Sequence, residues 1–254
     1  MGRYTVDVTY QAVQRKSLSD AVFEQLRAHI LSGALDVGEE LPSERALCEQ
    51  FGVNRQALRE ALKRLQQLRL IAIKQGESTK VLDYRQTGGL ELLVSMIFDG
   101  EGRLRPRTAR SFVEMRVALG PDIARLAATR RSAEALERIT ALTQALLAAE
   151  GVVDRQRESL ELWRVLVEAS DNIAYQLAFN TMERAWEAVQ DVVAGALAAE
   201  LEDERGYRRL LKAIDRGEAE AARRAAAQLV TKGSEGVLAL LAQLDPSAVP
   251  TTKE

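Results

Sequence analysis

Residues 41–81 read LPSERALCEQFGVNRQALREALKRLQQLRLIAIKQGESTKV. Ser43 and Asn54 are good helix N-caps, because their side-chain oxygens accept hydrogen bonds from the free N–H groups of a first turn. Each precedes an apolar stripe at helical spacing, and a Gly-Val pair supplies a tight turn between the two helices. Two β-prone runs, 70–73 and 79–82, then flank a short turn. This order of elements predicts a winged helix-turn-helix.

The regions on either side complete the predicted domain organisation. Residues 1–16 are expected to form a flexible arm, and a helix capped near Ser17 opens the winged helix-turn-helix domain, which we assign to residues 17–85. From residue 86 to residue 245 almost every segment has helical spacing. The predicted fold is therefore mainly α, with a C-terminal all-helical bundle of six or seven helices. Residues 246–254 are expected to be a disordered tail.

Glycines, prolines and helix-capping residues predict where the helices of the bundle end. The predicted breaks are Gly100–Arg105, Gly120-Pro121, Gly151, Asp171-Asn172, Asp203–Gly206 and Gly217.

Composition excludes several classes of site. The chain has one cysteine, Cys48, and one histidine, His29. Multi-cysteine metal sites and catalytic triads that need an imidazole are therefore excluded. The first residues lack the apolar block of a signal peptide, and no run is long and apolar enough to span a bilayer, so a cytoplasmic protein is expected.

Charge is distributed unevenly along the chain. Residues 42–85 hold nine Lys/Arg and five Asp/Glu, whereas residues 86–254 hold 22 basic and 26 acidic residues. A basic segment attached to an acidic body is consistent with phosphate contact at one end of the molecule.

The third predicted helix carries a polar face made of Arg55, Gln56, Arg59, Lys63 and Arg64. Arginines four residues apart lie on one side of a helix, and an arginine can donate two hydrogen bonds to a guanine edge in the major groove. The alternative is a solvated helix face. The capped turn and the following hairpin favour DNA binding.

Two motifs resemble the GntR superfamily. The run from Leu41 to Val81 is similar to its DNA-binding domain. The QGESTKV run at 75–81, followed by TGGL at 87–90, resembles the FadR subfamily, and within it the metal-free branch of fatty-acid-metabolism regulators. The resemblance implies a DNA-binding domain joined to an all-helical effector domain.

The resemblance also implies roles for single residues. It assigns base and phosphate contacts to Arg45, Arg55 and Arg59, with Asn54 and Gln56 beside them. It further implies that the hairpin tip at Gln75 and Gly76 enters the minor groove. One departure is the acidic Glu77 beside the tip glycine, which opposes phosphate and implies a weaker wing contact or a different operator.

Many members of the subfamily hold a divalent metal with three histidines and an acidic residue. The matching positions here are Trp163, Tyr207 and Leu229, and the bundle contains no histidine that could replace them. No metal cofactor is therefore expected.

Members of the metal-free branch bind long-chain acyl-CoA. Their ligand-contacting arginine matches Arg116, whereas the positions of their later contacts hold Leu229, Gly233 and Val237. Arg116 has a second interpretation as a buried ion pair with Glu114, Asp122 or a neighbouring helix.

Four aromatic side chains of the bundle can also be interpreted in two ways, as filling of the core or as part of a ligand cage. They are Trp163, Trp186, Tyr175 and Tyr207.

The expected function is a ligand-responsive transcriptional regulator that binds a palindromic DNA operator as a homodimer. Its effector would be a fatty acyl-CoA or another small metabolite, so a regulator of a different metabolic pathway is an alternative. A second alternative is a helical protein-interaction module with vestigial DNA binding. An enzyme is not expected, because the carboxylates Glu114, Asp122 and Glu168 have no spacing that marks an acid-base pair.

Overall fold

A computed structural model describes residues 17–73, 78–99 and 103–245, without the side chains of residues 191, 192 and 194. The chain divides into two compact units, residues 1–89 and residues 90–254. The predicted arm and tail, together with Gln75, Gly76 and Glu77 at the predicted hairpin tip, lie outside the described residues.

Three helices form the helix-turn-helix of the first unit. Helix α1 (Leu18–Ser32) is capped by Ser17, helix α2 (Glu44–Phe51) by Ser43, and helix α3 (Arg55–Gln67) by Asn54. The side-chain oxygen of each cap accepts a backbone N–H three residues ahead. The caps and the helices predicted from the sequence are confirmed.

A small antiparallel sheet follows α3. Strand β1 (Ile71–Ala72) pairs with β2 (Lys80–Val81), with Ile71 opposite Val81. Residues 38–41 also run beside β2, where two of their N–H groups donate to the carbonyls of residues 79 and 81 at 2.8 and 2.9 Å. The sequence predicted the hairpin but only a turn at residues 36–38, since the third extended segment is defined by pairing with distant residues.

The first unit extends slightly beyond the predicted boundary at residue 85. Helix α4 (Tyr84–Thr87) is capped by Asp83, and the Thr87 hydroxyl donates to the carbonyl of Arg69 at 2.9 Å. This bond ties α4 to the segment after α3, so the unit ends at Gly89.

The second unit is all helical in its described part. Its elements are α5 (Glu91–Met96), α6 (Pro106–Arg130), α7 (Ala133–Ala148), α8 (Val152–Ala169), α9 (Ile173–Val193), a 3₁₀ turn (Ala194–Leu197), α10 (Ala198–Leu201), α11 (Glu204–Asp215) and α12 (Ala219–Leu244). Six of these helices are twelve residues or longer, in agreement with the predicted bundle of six or seven.

The predicted break at Gly120-Pro121 is wrong. Helix α6 continues through both residues and ends at Arg130, and Ser132 caps the next helix. A Cβ atom on Gly120 would lie 3.2 Å from a methyl group of Val230 and 3.4 Å from the Trp163 ring, so this glycine serves close packing rather than termination. Pro121 removes one backbone donor, and the packing of α6 against its neighbours outweighs that loss.

The core of the second unit lies where α6 packs along α12 and against α8 and α11. Alanines such as Ala124, Ala127, Ala222 and Ala226 are fully buried there, which lets the helix axes approach closely. Larger side chains, including Leu166 and Tyr207, fill the remaining space. In the part of the chain that the structure describes, no helix is long and apolar enough to cross a bilayer.

Candidate DNA-contacting surface and effector cavity

Helix α3 has one buried face and one exposed face. Leu58, Ala61, Leu62 and Leu65 are buried. The opposite side forms what we call the recognition surface, a shallow depression lined by Arg55, Gln56, Arg59, Glu60 and Lys63. All five side chains are exposed, so the structure leaves both predicted arginines accessible to a ligand outside the chain.

Arg59 is held by one surface ion pair. Its Nε lies 3.0 and 3.2 Å from the two carboxylate oxygens of Glu44 at the start of α2, and 69% of its side chain remains exposed. An exposed pair of this kind stabilises a protein by about 0.2–1 kcal/mol. Arg59 can therefore exchange Glu44 for a stronger acceptor at small cost.

Arg45 and Asn54 differ in how much of their side chain remains available to contact another molecule. The Arg45 side chain is 81% exposed, and its Nε lies 4.0 Å from a carboxylate oxygen of Glu49. The Asn54 Oδ1 accepts the Ala57 N–H at 2.9 Å. The oxygen of Asn54 is thus committed to capping, and only its amide nitrogen is left to contact another molecule.

Arg64 does not belong to the recognition surface, although the sequence placed it on that face. Its guanidinium lies 4.0 Å above the Phe23 ring and pairs with the Asp20 carboxylate. The Ser17 hydroxyl and Arg64 both hydrogen-bond to that carboxylate and hold the pKa of Asp20 below its usual value. Arg64 therefore joins α3 to α1.

The second unit contains a partly open cavity of about 170 Å³. Its wall is mostly aliphatic and aromatic, with side chains from α6, α8, α9 and α12 that include Phe112, Ile123, Trp163, Phe179, Trp186 and Val237. A concave apolar pocket with a few polar groups is typical of a small-molecule site. Trp163 and Trp186 thus line the cavity, and Trp163 also belongs to the buried core that contains Tyr207.

Arg116 lies in the cavity wall and forms a buried ion pair. One of its Nη atoms pairs with the carboxylate of Glu200 on α10, and the other lies 3.4 Å from the Val230 carbonyl. Burial lowers the pKa of Arg116, but the neighbouring carboxylate offsets this and leaves the pKa above its ordinary value. The guanidinium is therefore charged, with its counter-charge supplied by the protein itself.

The other two ion-pair partners considered for Arg116 are engaged elsewhere. Glu114 pairs with Arg110 at 2.8 Å, and Asp122 pairs with Arg125 at 2.6 Å. Of the three interpretations, only the pairing with a neighbouring helix agrees with the structure. Glu168, the third carboxylate considered for catalysis, pairs with Arg138 at 3.0 Å.

The side chains at the positions of the subfamily's metal ligands do not fit a divalent metal. Leu229 has no donor atom, and the Tyr207 hydroxyl shares a hydrogen bond of 3.0 Å with Ser159. Burial raises the pKa of Tyr207 above its ordinary value, so the phenol stays neutral. Within the described residues, no three His, Cys, Asp or Glu side chains form a metal-binding group.

Two residues of the cavity were not identified from the sequence. Glu200 is fully buried, and Gln156 is nine-tenths buried. Both lie in helical segments with many other charged and polar side chains, and Glu200 is 84 residues from the arginine that it binds. No local pattern marks such a pair, because only the packing of α10 against α12, and of α12 against α6, brings it together.

Comparison with known proteins agrees with this two-unit organisation. The family model "Bacterial regulatory proteins, gntR family" matches residues 18–81, and the model "FCD domain" matches residues 111–232. The chain is 36% identical to the HTH-type transcriptional regulator Mce2R of Mycobacterium tuberculosis over 231 residues, which are 91% of this chain and 96% of that protein.

A second relative has a more specific name. The chain is 31% identical to the fatty acid metabolism regulator protein of Serratia proteamaculans over 178 residues, 66% of this chain and 70% of that protein. Among solved structures, a GntR-family regulator of Pseudomonas syringae pv. tomato is 18% identical, covers 91% of this chain and 89% of its own, and has a TM-score of 0.48.

The identity to Mce2R extends over nearly all of both proteins, and the two family models together span most of the chain. The chain therefore belongs to the GntR family of bacterial regulatory proteins, as a FadR-like transcriptional regulator with an N-terminal DNA-binding helix-turn-helix domain and a C-terminal effector-binding FCD domain.

Proposed function

We propose that the protein is a homodimer that binds a palindromic operator through its two α3 helices. Binding of a small molecule raises or lowers its affinity for that DNA. The exposed recognition surface, at the N-terminal end of a capped α3, is the observation that carries this proposal. Helix-turn-helix dimers place such a helix from each protomer in successive major grooves, so the operator mirrors the two-fold symmetry of the protein.

The residues of the recognition surface have different proposed tasks. Arg55 and Arg59 read guanine edges, and Gln56 reads adenine or contacts the adjacent base. Arg45 contacts the phosphate backbone from the start of α2, and the Asn54 amide contacts a phosphate beside it. Gln75 and Gly76 enter the minor groove from the tip of the wing.

The effector is proposed to occupy the cavity of the second unit, with Arg116 in its wall. A fatty acyl-CoA or another small metabolite is the candidate ligand. The name of the Serratia relative supports a lipid-derived effector, whereas the name of Mce2R indicates only DNA-dependent regulation. Ligand binding can change operator affinity only if it favours one arrangement of the dimer over another.

The DNA-binding part of the proposal is tested by selecting binding sites from genomic DNA with the purified protein. A palindromic consensus is expected, together with one dimer per site by analytical ultracentrifugation. Affinity for that site should fall steeply as salt rises, because bound counterions are released from the duplex. An asymmetric consensus bound by a monomer would contradict the proposal, and so would salt-independent binding.

The effector part is tested by native mass spectrometry of the purified dimer and by operator binding. A co-purified acyl chain or CoA ester that shifts the operator Kd would support a lipid effector. A different bound metabolite with the same effect would favour the alternative pathway. Operator affinity that responds to no compound bound in the cavity would contradict this part of the proposal.

A further inference from the structure

Three buried polar atoms around the cavity have no hydrogen-bond partner among the described residues. They are Gln156 Oε1, Trp163 Nε1 and Glu200 Oε2. All three residues line the cavity, and each is at least nine-tenths buried. Buried polar atoms in native proteins almost always have a partner. Glu200 Oε2 lies against Gly233 of α12, so the side chains of the wall that a ligand can complete are Gln156 and Trp163.

Three other polar side chains of the wall have partners in the protein. Ser159 shares a hydrogen bond with Tyr207, and Ser234 donates to a backbone carbonyl of its own helix. Glu183 pairs with Arg164. Apart from Glu200 Oε2, the buried atoms of the wall without a partner are thus one donor, the Trp163 indole N–H, and one acceptor, Gln156 Oε1.

The charges in the wall cancel. Arg116 exposes 26% of its side chain, so a ligand can reach it, but Glu200 already provides its counter-charge. A carboxylate ligand would leave one net negative charge in an apolar cavity, and an ammonium ligand would leave one net positive charge. Both place an uncompensated charge against the apolar wall, which is unfavourable.

The volume limits the size of the buried group. A cavity of about 170 Å³ is close to the ~150 Å³ of an engineered apolar cavity that binds benzene. It therefore fits a fragment of about six to eight non-hydrogen atoms without rearrangement.

We infer that this cavity takes an uncharged, mainly hydrocarbon ligand, or ligand segment, whose hydroxyl or amide group hydrogen-bonds to Trp163 and to Gln156. The inference rests on the proposed function and specifies the ligand of that site. The ligand oxygen accepts the indole N–H, and the ligand O–H or N–H donates to Gln156 Oε1. A free carboxylate offers no donor to that acceptor.

The test is isothermal titration calorimetry of the full-length protein at neutral pH with four probes of equal chain length: 1-hexanol, hexanamide, hexanoate and hexylamine. The alcohol and the amide should bind about tenfold or more tightly than either ion. Hexanoate or hexylamine that binds as tightly as hexanol would overturn the inference. Failure of all four probes to bind would overturn it as well.

A pair of tryptophan variants tests the indole donor. Trp163→Phe keeps an aromatic ring but removes the N–H, so hexanol affinity should fall about tenfold. Trp186→Phe makes the same change in the same wall, and the Trp186 indole nitrogen is not one of the three buried unpartnered atoms. Hexanol affinity should fall less in this variant than in Trp163→Phe. Equal losses in the two variants would contradict the assignment.

Glu200→Gln tests the charge argument. Without its counter-charge, Arg116 should accept a carboxylate, so hexanoate should bind about tenfold tighter than to the wild type, while hexanol affinity changes little. Unchanged hexanoate affinity in the folded variant would overturn the charge argument. If circular dichroism shows that this variant does not fold, the tryptophan pair and the four probes still decide the inference.

Operator binding measured with the same probes separates this inference from the proposed function. Selective binding of hexanol without any change in operator affinity would support the ligand chemistry and contradict a regulatory role of the cavity. Tight binding of hexanoate that shifts operator affinity would support the regulatory role and overturn the inference.

Discussion

Replacing Arg59 with alanine should weaken operator binding strongly. Loss of one bidentate base contact costs about 1–3 kcal/mol per half-site. In the free protein Arg59 already holds Glu44 at 3.0 Å, and giving up this exposed pair on binding costs about 0.2–1 kcal/mol. With the middle of each range, the net loss is about 1.4 kcal/mol per half-site, or about 3 kcal/mol for two half-sites, which is roughly 100-fold in Kd.

The assay is fluorescence anisotropy with the selected operator and with a scrambled duplex at several salt concentrations. Arg138→Ala is the matched control, because Arg138 is also exposed, forms a single ion pair and lies in the second unit. It removes the same charge, and its operator affinity should stay within about threefold of the wild type. The Arg59 variant should lose affinity mainly for the operator, because base contacts specify sequence.

The two duplexes also separate base contact from phosphate contact. A lost phosphate contact weakens binding to both duplexes and lowers the salt slope by about one per half-site. An Arg59→Ala protein that binds the operator as tightly as the wild type would refute the assignment of α3 as the recognition helix.

Three further outcomes are expected from the packing. Gly236→Ala should destabilise the second unit by about 1–3 kcal/mol in thermal melts, because the added Cβ would collide with a backbone carbonyl of the 3₁₀ turn. Gly195→Ala has open space around the added Cβ, so its stability should stay within about 0.5 kcal/mol of the wild type. Arg64→Ala should lower the melting temperature of the DNA-binding unit without changing the salt slope of operator binding; a changed slope would contradict its structural role. Burial raises the pKa of Asp203, but hydrogen bonds from Lys232 and a backbone N–H outweigh burial and leave the pKa below its ordinary value. The Asp203 carboxylate therefore stabilises the fold above about pH 3.8, and this stabilisation is lost as the pH falls further. Asp203→Asn should therefore lower the free energy of unfolding by about 1–2 kcal/mol at pH 7 in denaturant titrations. A difference in unfolding free energy between variant and wild type that does not shrink below pH 3.8 would refute this.

Features determined by neighbouring residues were predictable from the sequence alone. The caps Ser17, Ser43 and Asn54 bond to N–H groups three residues ahead, so a single stretch of chain contains both partners. The apolar stripe of α3 likewise determines its buried face, and the exposed positions of Arg55 and Arg59 follow from it. The two-domain, mainly helical fold was predictable for the same reason.

Local rules were wrong where packing between distant segments outweighs them. Gly120-Pro121 indicates a helix end in isolation, yet α6 continues, because the absent Cβ admits Val230 and Trp163. Arg64 has the helical position of a surface residue, but its length lets it reach back to α1.

The cavity depended entirely on tertiary structure. Arg116 was recognisable from the sequence as a candidate ligand contact, but only the tertiary structure shows that Glu200 neutralises its charge. The two side chains are 84 residues apart, and neither position carries a signal of the other. Local hydrogen bonds and periodicity determine which helices form. The electrostatics of a buried site depend on which helices pack together, and this packing cannot be read from local sequence patterns.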